Sequence, residues 1–208
     1  MNLSEEVVLA YQYPIMEHFY TLQGEGAFMG QAAYFIRLGG CDVGCHWCDV
    51  KESWDASLHP QLSVEEIVQA AQAHPARIAV ITGGEPSLYD LNPLTIALQA
   101  AGFRTHIETS GSSLLTGKLE WVTLSPKKFK PALEENMHWV NELKIVVYNK
   151  SDFDWAEQHA ALVGKDCKLY LQPEWSKQDE MTPLIIDYIL AHPQWQLSLQ
   201  SHKYLNIP

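Results

Sequence analysis

Cys41, Cys45 and Cys48 fall within eight residues, spaced C-x-x-x-C-x-x-C. Thiolates at this density select zinc or an iron–sulfur centre. A structural zinc site takes four protein ligands and closes itself. Three sulfurs leave one corner of a metal centre open, and an open corner is where an outside group can bind and react. The iron–sulfur reading therefore leads. Zinc would need His46 or Asp49 as a fourth ligand, and three unrelated buried cysteines are the bland reading. Cys167 stands alone in an apolar stretch and reads as a small buried hydrophobe.

A second cluster is Thr82-Gly83-Gly84-Glu85-Pro86. Paired glycines let backbone groups approach a ligand closely, Glu85 offers an acceptor, and Pro86 ends strand pairing. Taken alone this is an ordinary turn. Placed after a three-cysteine loop, it suits the binding of an amino-acid group.

These clusters need a scaffold. The pattern predicts strands at 34–38, 77–81, 103–107, 121–124, 143–147, 168–171 and 196–199. Helices are predicted at 63–73, 91–101, 152–162 and 182–191, the first opened by the capping box Ser63-Val64-Glu65-Glu66. Strands alternating with helices imply an α/β fold with a mainly parallel sheet and right-handed crossovers. A partial barrel and an open doubly wound sheet both satisfy the pattern. In either, ligands bind at the carboxyl ends of the strands, where the polar clusters lie.

At 208 residues, with 47% hydrophobic and 19% charged residues, the chain is expected to fold as one domain, residues 1–208. No secretory leader or membrane-length apolar run is evident, so a cytoplasmic protein is expected. Four cysteines in a chain this long are no disulfide scaffold. A net charge of −11 argues against a nucleic-acid partner, which would need a basic face.

The cysteine spacing followed by Gly-Gly-Glu-Pro resembles the radical S-adenosylmethionine superfamily. Further segments narrow the resemblance: Leu22-Gln23-Gly24-Glu25-Gly26, Phe35-Ile36-Arg37, Ile107-Glu108-Thr109-Ser110-Gly111, Ser125-Pro126-Lys127 and the tail His202-Lys203-Tyr204-Leu205-Asn206-Ile207-Pro208. Together they look like the 7-carboxy-7-deazaguanine synthase family, from about residue 13 to the last residue. The resemblance implies a partial β/α barrel. It also implies a 4Fe-4S cluster on Cys41, Cys45 and Cys48, with S-adenosylmethionine on the fourth iron. The implied reaction contracts 6-carboxytetrahydropterin to 7-carboxy-7-deazaguanine with loss of ammonia. An outside reductant such as a flavodoxin and a homodimer are implied as well.

By the same resemblance, Leu22, Gln23, Gly24, Arg37, Thr82 and the terminal carboxylate of Pro208 hold the pterin. Trp47, Cys48, Asp49, Gly84, Ser125, Pro126 and Lys127 line the S-adenosylmethionine site. So do Gln172, Pro173, Glu174 and Trp175, with Glu108 and Thr109 facing the same pocket. A guanidinium fork at Arg37 suits a carboxylate. Against these roles, Arg37 could be a surface residue and Lys127 half of a solvated pair with Lys128.

One position departs from the family. A Thr two residues after the third cysteine helps bind magnesium, and here Val50 stands there. Valine has no oxygen, and magnesium demands oxygen ligands. Ser53 or water would have to substitute, or Lys51 supply charge; otherwise magnesium is weak or absent. His106 reads as a satisfied interior histidine. Glu142 and Lys144, two apart, share one strand face, which belongs to the pocket if it points inward. Two alternatives remain: an activase of a glycyl-radical protein, and a non-enzymatic zinc or iron–sulfur binding module.

Overall fold

The computed structural model describes residues 5–208. Its strands are β1 (Gln12–Leu22), β2 (Ala32–Leu38), β3 (Gln61–Ser63), β4 (Ile78–Gly83), β5 (Arg104–Thr109), β6 (Trp121–Leu124), β7 (Glu142–Val147), β8 (Lys168–Pro173) and β9 (Trp195–Leu197). Its helices are α1 (Glu5–Ala10), α2 (Val64–Gln72), α3 (Asn92–Ala100), α4 (Ser151–Ala160), α5 (Gln178–Ala191) and α6 (Ser201–Leu205). The strands form one open sheet in the order β3-β1-β2-β4-β5-β6-β7-β8-β9. From β2 to β9 every pairing is parallel; β1 runs antiparallel to both β2 and β3. The expected incomplete barrel is therefore present.

Side-chain alternation gives the sheet two different faces. On one, Ile36, Leu38, Ala79, Ile81, Ile107 and Val122 meet α1, α2 and α3. Leu143, Ile145, Val147 and Leu171 continue that face beneath α4 and α5. A smaller apolar cluster of Ala33, Phe35, Ile78 and Val80, with Phe19 and Phe28, occupies the other face. Toward the carboxyl ends of the strands this second face turns polar, presenting Arg37, Thr82, Glu108, Lys144 and Gln172 to one cavity.

The predicted helix start at Ser63 is confirmed. Its hydroxyl accepts the Glu66 amide, and the Glu66 carboxylate accepts the Ser63 amide. Five elements depart from the pattern-based reading: α1 and β3 have no counterpart in it, and β1, α5 and α6 differ as follows. β1 is a strand of 11 residues where the sequence reads as a polar start. Its register shifts between Ile15 and Glu17, and its second half is partly exposed, so no clean period-2 signal survives. α5 begins at Gln178 rather than near 182, because Pro183 sits inside the helix and not at its first position. The carbonyl that Pro183 leaves unpaired belongs to exposed Asp179. Residues 201–205 form α6, a helix too short to register as a periodic pattern.

Candidate active site

A cavity of about 290 Å³ opens at the carboxyl ends of the parallel strands. The loop leaving β2 carries Cys41, Cys45 and Cys48, and all three border the cavity. β4 ends under this loop at Gly83 and Gly84. A Cβ on Gly84 would stand 2.3 Å from the Gly40 carbonyl oxygen and 2.8 Å from Cys41 Cβ. On Gly83, at φ +143°, it would meet the Leu38 carbonyl at 2.2 Å. The cysteine loop thus lies on a backbone seat that only glycine can form.

Glu85 corrects the sequence reading. It is buried, and its carboxylate is filled by the chain itself. It accepts the Ser87 amide at 2.9 Å, the Ser110 amide at 2.8 Å, and the Ser110 and Thr109 hydroxyls. It ties the end of β4 to the end of β5 and is not held out to a ligand. Thr109 borders the cavity, but its hydroxyl donates to Glu85 and accepts the Gly111 amide at 2.9 Å.

Among the described residues, no three His, Cys, Asp or Glu side chains converge as one bound ion requires. His46 packs edge-on against Phe129 and Tyr148, and Asp49 accepts Lys203 Nζ at 2.8 Å. Both proposed fourth zinc ligands are thus engaged elsewhere. A cubane cluster, each of whose cysteines binds a different iron, needs no such convergence. The donor set fits that group. Burial pushes the Cys45 thiol up to about 11, with Lys127 pulling the other way, and burial likewise raises Cys41.

Lys127 is not half of a solvated pair. Its Nζ is bonded to the Ser125 carbonyl and hydroxyl, each at 2.6 Å, and lies 5.7 Å from the centre of the Trp47 ring. Burial pulls its pKa down. Ser125 and Trp47 border the cavity with it, whereas Pro126 is buried beside the cavity without lining it. Gln172, Pro173, Glu174 and Trp175 reach the cavity from the end of β8.

The opposite wall is acidic. Lys144, only 4% exposed, bonds Glu25 and, at 3.2 Å, Glu108. Glu108 also accepts Gln23 Nε2 at 2.8 Å. Burial works against the Lys144 charge, yet Glu108, Glu25 and Glu142 together hold its pKa above the ordinary range. Burial likewise opposes the Glu25 charge, and Lys144 overcomes it, so that carboxyl titrates low. Glu142 goes the other way: burial raises its pKa, although it accepts the Ala27 amide at 3.1 Å and the Trp121 indole at 3.2 Å. The shared face of Glu142 and Lys144 therefore does point inward.

The chain's end closes this wall. Ser201 bonds the Gly24 carbonyl through its amide, at 2.9 Å, and its hydroxyl, at 2.8 Å. A Cβ on Gly24 would strike the His202 ring at 2.3 Å. Lys203 reaches Asp49 and lies 4.9 Å from the centre of the Trp175 ring. Asn206, at φ +53°, ends α6, and Pro208 borders the cavity with Leu22, Gln23, Gly24, Arg37 and Thr82.

One cavity thus joins three free cysteines to the Gln23 turn, Arg37 and the C-terminus. The sequence pattern of the Radical SAM superfamily matches residues 35–142. The 7-carboxy-7-deazaguanine synthase of Flavobacterium psychrophilum is 53% identical, over 99% of this chain and all of that protein. The chain belongs to the 7-carboxy-7-deazaguanine synthase family. The enzyme of that name from Synechocystis is 50% identical over 96% of each chain. The crystal structure of QueE from Escherichia coli superposes with a TM-score of 0.85 at 36% identity, over 97% of this chain and all of that one.

Within this family fold, Val50 borders the cavity beside Cys48. Ser53 does not replace the missing oxygen: it is buried, and its hydroxyl donates to the Val50 carbonyl at 2.7 Å. The side chains here do not fit a magnesium site. Cys167 lies outside the cavity lining, half-buried beside the α4–α5 core, its thiol pushed up by burial to about 11. His106 is buried, but its Nε2 has no partner among the described residues, so it is not the satisfied histidine expected. Glu25, Trp54, Ser110, Val146, Gln200 and His202 line the cavity and were not singled out as site residues. Glu25, Ser110 and His202 lie inside the quoted motifs; Trp54, Val146 and Gln200 gave no signal short of the fold.

Proposed function

We propose that this chain is a 7-carboxy-7-deazaguanine synthase, acting on 6-carboxytetrahydropterin and releasing ammonia. The continuity of one cavity from the cysteine loop to Gln23, Arg37 and Pro208 carries the reading. Cys41, Cys45 and Cys48 would hold a 4Fe-4S cluster. Trp47, Asp49, Gly84, Ser125, Lys127, Gln172, Glu174 and Trp175 would surround S-adenosylmethionine. Cluster and S-adenosylmethionine, when bound, supply chemistry that removes a hydrogen atom from a substrate carbon.

The remaining task is orientation and exclusion of water. Arg37 bonds Glu17 through Nε at 2.7 Å, on the rim. That exposed pair contributes at most about 1 kcal/mol, so a substrate carboxylate can take over the fork. The Gln23 turn and the Pro208 carboxylate would clasp the pterin from the other side, with Thr82 beneath. Glu108 and Lys144 set the polarity of the floor. The reading takes the chain as one domain and a cytoplasmic homodimer fed by a flavodoxin-type donor. It leaves magnesium out, because Val50 and Ser53 offer it no oxygen. No described helix is long and apolar enough to cross a membrane.

The test is an anaerobic assay with reconstituted protein, 6-carboxytetrahydropterin, S-adenosylmethionine and dithionite, read by product mass. The expected product is 7-carboxy-7-deazaguanine. Cleavage of S-adenosylmethionine without that product would favour a radical activase. No cleavage at all by the iron-loaded protein would leave only a binding module.

A further inference from the structure

The parallel register sets Glu108 of β5 opposite Thr123 of β6, and Thr123 opposite Glu142 of β7. These side chains form one row across three strands. The row before it holds His106 and Trp121. Between the rows lies a second cavity, of about 10 Å³. Its polar boundary is Gln23, Glu25, His106, Glu108, Thr123 and Glu142. Gln23, Glu25 and Glu108 also border the main cavity, so the two spaces share a wall.

His106 is 3% exposed, and its Nε2 lacks a hydrogen-bond partner among the described residues. A buried polar atom left unpaired costs on the order of 1–3 kcal/mol. Burial, reinforced by Arg104, pulls this histidine's pKa down to about 4, so the ring is neutral at pH 7 and has one accepting nitrogen. The space has the size of one water, on the order of 10–15 Å³, and more than the two to four polar partners a buried water needs.

We propose that this second cavity binds a single water molecule, which donates one hydrogen to His106 Nε2 and the other to the Glu108 carboxylate. His106 is then a positioning residue. Glu108 already takes Gln23 on one oxygen and Lys144 on the other. The water fixes the same carboxylate from behind, and with it the Gln23 side chain that faces substrate. The rival arrangement is a ring that carries its proton on Nε2 and points it at an aromatic face. Phe28 lies edge-on 4.5 Å away and Trp121 6.3 Å away, centroid to centroid.

Two measurements on the native full chain decide between them. Nitrogen NMR of histidine-labelled protein at pH 7 should show His106 Nε2 unprotonated, and a high-resolution crystal structure should show one density peak within hydrogen-bonding distance of it. A protonated Nε2 or a dry cavity overturns the proposal. The kinetic arm rests on the function proposed above. His106→Phe should raise the pterin KM about tenfold, the loss of roughly one net hydrogen bond, with little change in kcat. His106→Gln, which keeps an acceptor, should restore most of it. Wild-type KM in both variants, or equal damage in both, also counts against a positioning role. If the protein turns over no pterin, the functional reading fails, while the NMR and the density still decide the water.

Discussion

The cysteine loop and the acidic wall face each other across one cavity, yet they are built in opposite ways. The loop, residues 41–50, is held by a few backbone bonds to residues 53 and 54, by the surface pairs Asp42–Lys130 and Asp49–Lys203, and by the glycine seat beneath it. Its functional atoms are three sulfurs without metal-type convergence. The wall is complete before any ligand arrives. Lys144, Glu25, Glu108 and Gln23 hold one another in place, and Ser201 pins the turn that carries two of them. The loop is finished by its cofactor; the wall is finished by the fold.

That contrast can be broken from either side. The largest effect is expected at the loop. Cys45→Ala should abolish iron binding beyond background and with it S-adenosylmethionine cleavage. Its unfolding free energy without metal should stay within about 1.5 kcal/mol of wild type, as for a small buried deletion. Iron content, absorbance and urea melts of the apo form check both halves. A large loss of apo stability would show that the loop is also a structural element.

At the wall the order reverses. Lys144→Met should destabilise the fold by about 3–5 kcal/mol, because it leaves buried carboxylates without their cation; a urea midpoint reads this directly. Survival with wild-type stability would mean that the wall's charges are solvated. An extension after Pro208 should raise the pterin KM several-fold with little change in melting temperature, since it moves only the terminal carboxylate. Unchanged kinetics would remove Pro208 from the site. Chelation of magnesium should change turnover by less than about twofold. A strict loss restored by magnesium alone would show that water fills the role Val50 cannot.

The smallest effect belongs to Glu142. Burial raises its folded pKa above the unfolded value. Its stabilising contribution is therefore present below the unfolded pKa and is lost as pH rises through the folded one. Glu142→Gln should flatten the decline in stability as pH rises above the ordinary carboxylate range, read from urea midpoints across pH, with a smaller change than any variant above. A steeper decline in the variant would mean that the carboxylate is stabilised by its Ala27 and Trp121 donors more than burial opposes it.

The parallel strands, β2 and β4 to β9, could be read from the sequence because a parallel sheet needs short apolar runs, and β4, β7 and β8 supply them locally. β1 could not. It is an edge-side antiparallel strand with a register shift, and its meaning comes from β2 and β3. The site divides the same way. The cysteines are legible because ligand spacing is local, and Gln23, Arg37 and Pro208 because their segments resemble a known family. The roles of Glu85 and Glu142 were not legible. One turned inward to stitch strand ends and the other became a buried acid beside Lys144, and both depend on partners 24 to 115 residues away.

The bond from Ser201 to Gly24 spans 177 residues. It brings almost the two ends of the chain to one place, with Pro208 at the cavity's edge. A contact of that span cannot form until the segments between have folded, because loop closure must be met before a non-local contact rewards it. The turn that presents Gln23 and Glu25 is therefore a late and global product of folding, whereas the cysteine spacing is local, so partial unfolding at the far edge of the sheet would loosen the substrate wall and leave the cysteine loop in place.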